Sequence, residues 1–140
     1  MLHLACRARF ENDPTASRLL ANGQSLTVSR LLAHGGRRVT AAGPLVVLSA
    51  CTSALTADDF DESLTLSTAF LTAGAAAVVV SPWTVNDEST PALMEEFHRL
   101  MSRGGLSPAE ALAKAQAYTA AAEGGSGSPY YWAAFSHQGR

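Results

Sequence analysis

Charged and reactive side chains are scarce in this sequence. Only 16% of its 140 residues are charged, and the formal net charge at pH 7 is -2. Nucleic-acid-binding domains carry an excess of Lys and Arg, so this balance argues against nucleic acid as a main partner. The two cysteines lie far apart and the four histidines are scattered, which gives neither a zinc-ligand spacing nor a disulfide framework. We therefore expect no metal and no other cofactor.

Long hydrophobic runs are also missing. The longest apolar stretch, residues 69–83, is interrupted by Thr72, Gly74 and Ser81, whereas a membrane-spanning helix needs about 20 consecutive apolar residues. The first residues show no basic region followed by a long apolar segment, so they lack the pattern of a signal peptide. These absences predict a cytoplasmic protein without a membrane partner.

Short apolar runs, in contrast, are frequent, since 47% of the residues are hydrophobic. The most informative run is Leu45–Cys51, in which four β-forming residues lead into Ser, Ala and Cys. A continuous apolar run of this length predicts a strand buried on both faces. Further strands are predicted at 1–6, 75–81 and 130–136, and helices at 26–34, 63–73, 90–103 and 107–123. This alternation predicts an α/β fold with a mainly parallel sheet flanked by helices.

The predicted sheet is small for a complete domain. A parallel strand that begins at Met1 has backbone groups to satisfy on two sides, and three or four strands leave an apolar edge exposed. We therefore expect an incomplete domain, whose missing N-terminal strands come from upstream sequence or from another chain. The alternative is a small sheet whose edge is covered by a loop.

Seven short segments occur in an order that is more specific than any one of them. They are His3–Cys6, Leu45–Cys51, Asp61-Glu62, Ala69–Ala75, Val79–Asp87, Pro108–Leu112 and Pro129–Phe135. In this order they resemble the C-terminal half of the CHAT family of caspase-like cysteine peptidases. The resemblance implies a caspase-like sheet, with residues 1–140 as the C-terminal part of one CHAT-like domain. It also implies a protein or peptide partner, such as the helical repeats that commonly precede this domain or an upstream part of the same protein.

The resemblance assigns the nucleophile but leaves the base in question. Cys51 matches the nucleophile cysteine, and the base histidine of the family ends the preceding strand in the pattern His-x-Ala-Cys-His. This chain has Arg7 at that position, 44 residues before Cys51. Arginine stays protonated, so it cannot act as a general base, although its charge could lower the pKa of a nearby thiol. We therefore expect a degenerate peptidase that acts as a regulatory or interaction module.

His3 is the candidate substitute for the missing base. Strand alternation places His3 on the same face as Arg7, but His3 lies four residues further back, or about 13 Å along the strand. The other interpretation of His3 is a half-buried core histidine with its hydrogen bonds satisfied. Cys6 should point to the opposite face of the strand, where we expect it to pack in the core.

Two other function classes remain open. One is an active cysteine endopeptidase with Cys51 as nucleophile and His3, or a residue outside this sequence, as base. The other is an unrelated flavodoxin-like or nucleotide-binding domain. That class requires a glycine-rich or hydroxyl-rich phosphate loop after the first strand, and Arg7–Phe10 offers charge but no such loop.

A cluster of carboxylates follows the Cys51 strand. The segment 57–62 is predicted as an acidic loop, and Asp61 and Glu62 precede a helix whose positive N-terminal end favours negative charge. The simplest interpretation is a solvated loop. The functional interpretation is an acidic wall of a binding pocket that prefers a basic peptide side chain.

Overall fold

The computed structural model describes residues 1–34, 43–51, 59–81, 90–121 and 128–139, with side chains described except at 34, 50–51, 59–65 and 131. Strands and helices alternate along these ranges, which confirms the predicted α/β fold. In chain order they are β1 (Leu2–Arg9), β2 (Arg18–Ala21), β3 (Gln24–Thr27), α1 (Val28–His34), β4 (Leu45–Cys51), α2 (Asp59–Thr72), β5 (Ala77–Val80), α3 (Thr90–Arg103), α4 (Pro108–Ala121), α5 (Pro129–Trp132) and β6 (Ser136–Gly139).

The strands form one six-stranded mixed sheet in the order β3-β2-β1-β4-β5-β6. Its centre is parallel, because β4 pairs in parallel with both β1 and β5. The pairs β1–β2 and β2–β3 are antiparallel. The predicted parallel strands are therefore present, and an antiparallel hairpin extends the sheet beyond β1.

This β2–β3 hairpin was not expected from the apolar pattern. The helix predicted at 26–34 begins later than expected, at Val28, because strand β3 continues to Thr27. The turn is made by Asn22 and Gly23, which adopt φ values of 51° and 75°. Positive φ at two successive positions is the requirement of a tight hairpin turn, and Asn-Gly is its strongest sequence signal.

The chain divides into two compact units, Met1–Thr84 with Gln138–Arg140, and Val85–His137. In the first unit, a hydrophobic cluster joins one face of the sheet to α1 and α2. Thr27 caps α1, since its hydroxyl accepts a hydrogen bond from the Arg30 amide at 3.2 Å. The buried members of the cluster are Leu19, Val28, Leu31, Val46, Leu48, Leu66, Ala69, Phe70, Ala75, Val78 and Val80.

The second unit is built on the predicted helix pair α3 and α4. The apolar stripe of α3 is buried at Leu93, Met94 and Phe97, which recur at helical spacing. Ser107 and Glu110 form a capping box at the start of α4. The Ser107 amide donates to the Glu110 carboxylate at 2.8 Å and the Glu110 amide donates to the Ser107 hydroxyl at 3.3 Å. The hydrogen bonds that the Ser107 amide and hydroxyl donate to this carboxylate lower the pKa of the Glu110 carboxyl.

The end of the chain differs from the prediction. Residues 130–136 were expected to form a strand, but Pro129–Trp132 is a single helical turn and the strand β6 begins only at Ser136. The Ser128 hydroxyl accepts a hydrogen bond from the Tyr130 amide, and Pro129 occupies the first helical turn. A serine cap followed by proline favours a helix start, which here outweighs the β propensity of the aromatic residues.

Candidate functional site

The C-terminal ends of β1 and β4 lie side by side. The two strands are parallel, and their register runs from Leu2 opposite Val46 to Arg7 opposite Cys51. The residue at the nucleophile position of the family pattern and the residue at its base position are therefore direct neighbours across the sheet. The side chain of Cys51 lies outside the described ones, so its role as nucleophile stays a prediction.

The odd-numbered residues of β1 form the exposed face of that strand. His3, Ala5, Arg7 and Arg9 are all exposed, while the even-numbered residues from Leu4 to Ala8 are half-buried. This alternation follows from the period of two in a strand, since only one face of β1 packs against the cluster under α1 and α2. The placement of His3 and Arg7 on one face agrees with the sequence expectation.

His3 lies at the beginning of this face rather than at the strand end. Its backbone is opposite Val47, and its Nε2 is 2.7 Å from the Ser49 hydroxyl oxygen. The hydrogen-bonded state of His3 was foreseen, but the expected half-burial is wrong, because His3 is exposed. Ser49 was not singled out from the sequence, although its position opposite Ala5 puts it on the same face as His3.

Two arginines share one carboxylate beyond the end of this face. Arg9 and Arg18 are directly opposite each other on β1 and β2. Glu11 bridges them, with its Oε1 at 3.4 Å from the Arg9 Nε and 2.7 Å from the Arg18 Nη2. Arg7 forms no ion pair with any residue that the structure describes. The sequence signal was the alternating pair Arg7 and Arg9, but only the hairpin brings Arg18 beside them.

The other cysteine lies on the opposite face of β1. Cys6 is half-buried and packs against the hydrophobic cluster, with its Sγ 3.9 Å from the Leu4 carbonyl oxygen. This confirms the prediction that Cys6 packs in the core, away from the face of His3 and Arg7.

The predicted acidic residues belong to a helix rather than to a loop. Helix α2 begins at Asp59, so Asp61 and Glu62 lie in its first turn. Carboxylates in a first helical turn are stabilised by the positive end of the helix dipole. Their side chains lie outside the described ones, and Asp58 precedes the described helix. Their role as an acidic pocket wall therefore stays a prediction.

Neither a metal-binding cluster nor a membrane-spanning helix occurs in the described ranges. Within the described ranges, no three His, Cys, Asp or Glu side chains converge closely enough to hold a metal ion. None of the helices in those ranges combines the length and the apolar composition that crossing a membrane requires.

The mixed sheet with its parallel centre and flanking helices defines a class of proteins, the caspase-like α/β domains. The family model of the CHAT domain matches residues 1–140, which is the whole chain. The chain therefore belongs to the CHAT domain family, as the seven sequence segments indicated. None of the curated proteins matches this chain.

Proposed function

We propose that this CHAT domain is a peptidase homologue without proteolytic activity that serves as a protein- or peptide-binding module. The observation that carries the proposal is the register of β1 and β4, which places Arg7 directly opposite Cys51. Arg7 thus occupies the position from which the family's base histidine would serve the nucleophile. The partner of the domain is another protein or a peptide, such as the helical repeats that the family commonly joins to this domain.

Cysteine peptidases need both a thiolate and an acid for the leaving amine. The positive charge of Arg7 can favour a thiolate at Cys51. However, a guanidinium keeps its proton at physiological pH, so it can neither accept the thiol proton nor pass one to the amine. An attack by Cys51 on a peptide bond would therefore not release the leaving amine, because Arg7 cannot supply the proton that the amine needs.

His3 does not replace the missing base in this proposal. Its backbone is level with Val47, four residues before Cys51, which corresponds to about 13 Å of strand. Its Nε2 is already hydrogen-bonded to the Ser49 hydroxyl at 2.7 Å. A general base must lie within hydrogen-bond reach of the proton that it removes, and both observations favour a structural role for His3.

The experiment that tests this proposal is a cleavage assay with casein and a mixture of labelled peptides. It compares the parent chain with Cys51→Ala, which removes the predicted nucleophile, and with Arg7→His, which restores the family's residue. We expect no turnover above the Cys51→Ala background for the parent. We expect Arg7→His to gain Cys51-dependent cleavage, because an imidazole at this position could serve as both base and acid.

Cleavage by the parent chain would contradict the proposal if Cys51→Ala abolished it. The active-endopeptidase interpretation would then stand, and the same assay on His3→Ala would test His3 as the base. Alkylation of Cys51 followed from pH 5 to 9 adds a second readout, since a thiol beside a fixed positive charge should react at lower pH than a thiol near its ordinary pKa of about 8.5.

A further inference from the structure

The hairpin gives the exposed face of β1 an excess of positive charge. Opposite residues in an antiparallel pair share a face of the sheet, with their Cβ atoms about 5 Å apart. The pairs Arg7–Leu20 and Arg9–Arg18 therefore bring three arginines and one leucine together on β1 and β2. We call the residues Arg7, Arg9, Arg18 and Leu20 the basic patch.

One carboxylate only partly neutralises the basic patch. Like charges placed directly opposite each other destabilise a sheet, and Glu11 relieves this repulsion between Arg9 and Arg18 by contacting both. Three positive charges and one negative charge leave two net positive charges. The third arginine, Arg7, has no carboxylate partner among the described residues. No ion pair there explains its charge as a contribution to the stability of the fold.

The accessible part of the basic patch combines charged and apolar side chains. Arg7 is exposed, and the Arg9 side chain is 68% exposed. Leu20, directly opposite Arg7, is 37% exposed and so adds an accessible apolar group to the patch. An exposed leucine beside an arginine suits a ligand that offers a carboxylate next to an apolar group.

We propose that the basic patch binds an acidic segment of another protein, with Arg7 and Arg9 holding its carboxylates and Leu20 contacting a neighbouring apolar side chain. The guanidinium fork of arginine matches a carboxylate through two parallel hydrogen bonds. This inference rests on the proposed function, because it names the class of partner that the domain would bind beside the degenerate site.

Charge distribution favours an acidic protein segment over nucleic acid. The whole chain carries a net charge of -2, while the patch together with Glu11 contributes two positive charges, so the remainder carries four net negative charges. A nucleic acid needs a positive surface extending over several phosphates, and the net negative charge of the rest of the chain would repel it. A short peptide needs only the patch itself.

The test measures binding of a fluorescein-labelled peptide, in which Glu alternates with Leu, to the 140-residue chain by fluorescence anisotropy. Its counterpart has Gln in place of every Glu. The protein variants are Arg7→Gln and, as a matched control, Arg103→Gln, which removes an exposed arginine at the end of α3. A labelled oligothymidylate serves as the nucleic-acid probe.

We expect the Glu peptide to bind at least about tenfold more tightly than the Gln peptide, because charge-assisted hydrogen bonds are stronger than neutral ones. Arg7→Gln should weaken binding of the Glu peptide about tenfold and reduce its dependence on salt. Arg103→Gln should leave both unchanged. Equal binding of the two peptides, equal effects of the two substitutions, or tighter binding of the oligothymidylate would each overturn the proposal.

Mass spectrometry of the same samples separates the two proposals. Intact peptide with Arg7-dependent binding supports both of them. Intact peptide without such binding overturns the basic patch and leaves the non-proteolytic role standing. Peptide cleaved in a Cys51-dependent manner overturns the non-proteolytic role, while the anisotropy of the Cys51→Ala variant still decides whether the patch binds.

Discussion

Two neighbouring strands of the same sheet, β1 and β4, differ in how they are buried. Leu45 to Leu48 of β4 are buried on both faces, whereas β1 is half-buried on one face and exposed on the other. The sequences show this directly: β4 is continuously apolar and β1 alternates between apolar and polar residues. We infer that residues 45–48 of β4 contribute mainly stability, while β1 combines a core face with an accessible face that suits chemistry or binding.

The largest expected effect is on stability, when leucine is replaced by alanine at either of two opposite positions in β4 and β1. Leu48 is 1% exposed and lies directly opposite the half-buried Leu4. Leu48→Ala removes buried methyl groups and leaves a cavity, so it should lower the free energy of unfolding by about 2–5 kcal/mol. Leu4→Ala should cost less, about 1–2 kcal/mol, because part of that side chain is already in contact with water.

Urea unfolding followed by circular dichroism measures both free energies under the same conditions. Leu48→Ala is expected to have the lower midpoint, with a similar slope for both variants. Equal losses, or a larger loss for Leu4→Ala, would show that β1 is buried as deeply as β4 and would remove the distinction between the strands.

Much of this contrast was predictable from the sequence because burial pattern and composition coincide. The continuous run of β4, the stripe of α3 and the capping box of α4 each specify their structure locally. The strand predicted at 130–136 is wrong because the local Ser128-Pro129 helix start opposes the apolar pattern there. The hairpin was missed although Asn22-Gly23 signals it, since its strands are short and half-polar.

The site was predictable only in part, because its residues are far apart in the sequence. The pairing of Arg7 with Cys51 follows from the parallel arrangement of two strands that are adjacent in the sheet, and the family resemblance anticipated it. The Glu11 bridge between Arg9 and Arg18 depends on the hairpin, which returns the chain beside β1. No local pattern near Arg18 indicates that this residue will lie opposite Arg9.

A second prediction concerns the hairpin that supports β1 on the side away from β4. Gly23 has φ of 75°, and a Cβ added there would have no atom within 4 Å. Gly23→Ala should therefore cost only its backbone strain, about 1 kcal/mol of unfolding free energy. Gly23→Asn should cost less, because asparagine tolerates the left-handed region better than alanine does.

Thermal unfolding of the two Gly23 variants checks this order. Binding of the acidic peptide to Gly23→Ala gives an independent readout, since a weakened hairpin would hold Arg18 and Leu20 less firmly beside Arg7. An alanine variant as stable as the parent would indicate that the turn does not require positive φ, and that β1 does not depend on the hairpin.

The smallest expected effect concerns the hydrogen bond that joins the two strands on the exposed face of β1. His3 Nε2 and the Ser49 hydroxyl are 2.7 Å apart, and His3 is exposed to water. Water competes for both groups, so His3→Ala and Ser49→Ala should each cost at most about 1 kcal/mol. A double-mutant cycle of these changes should give a coupling of about 0.5 kcal/mol.

If His3 instead serves Cys51, the cycle should show no coupling in stability, while His3→Ala should slow alkylation of Cys51. A positive coupling with unchanged alkylation would assign His3 to holding β1 against β4, which leaves Arg7 as the residue that determines the chemistry at the strand end.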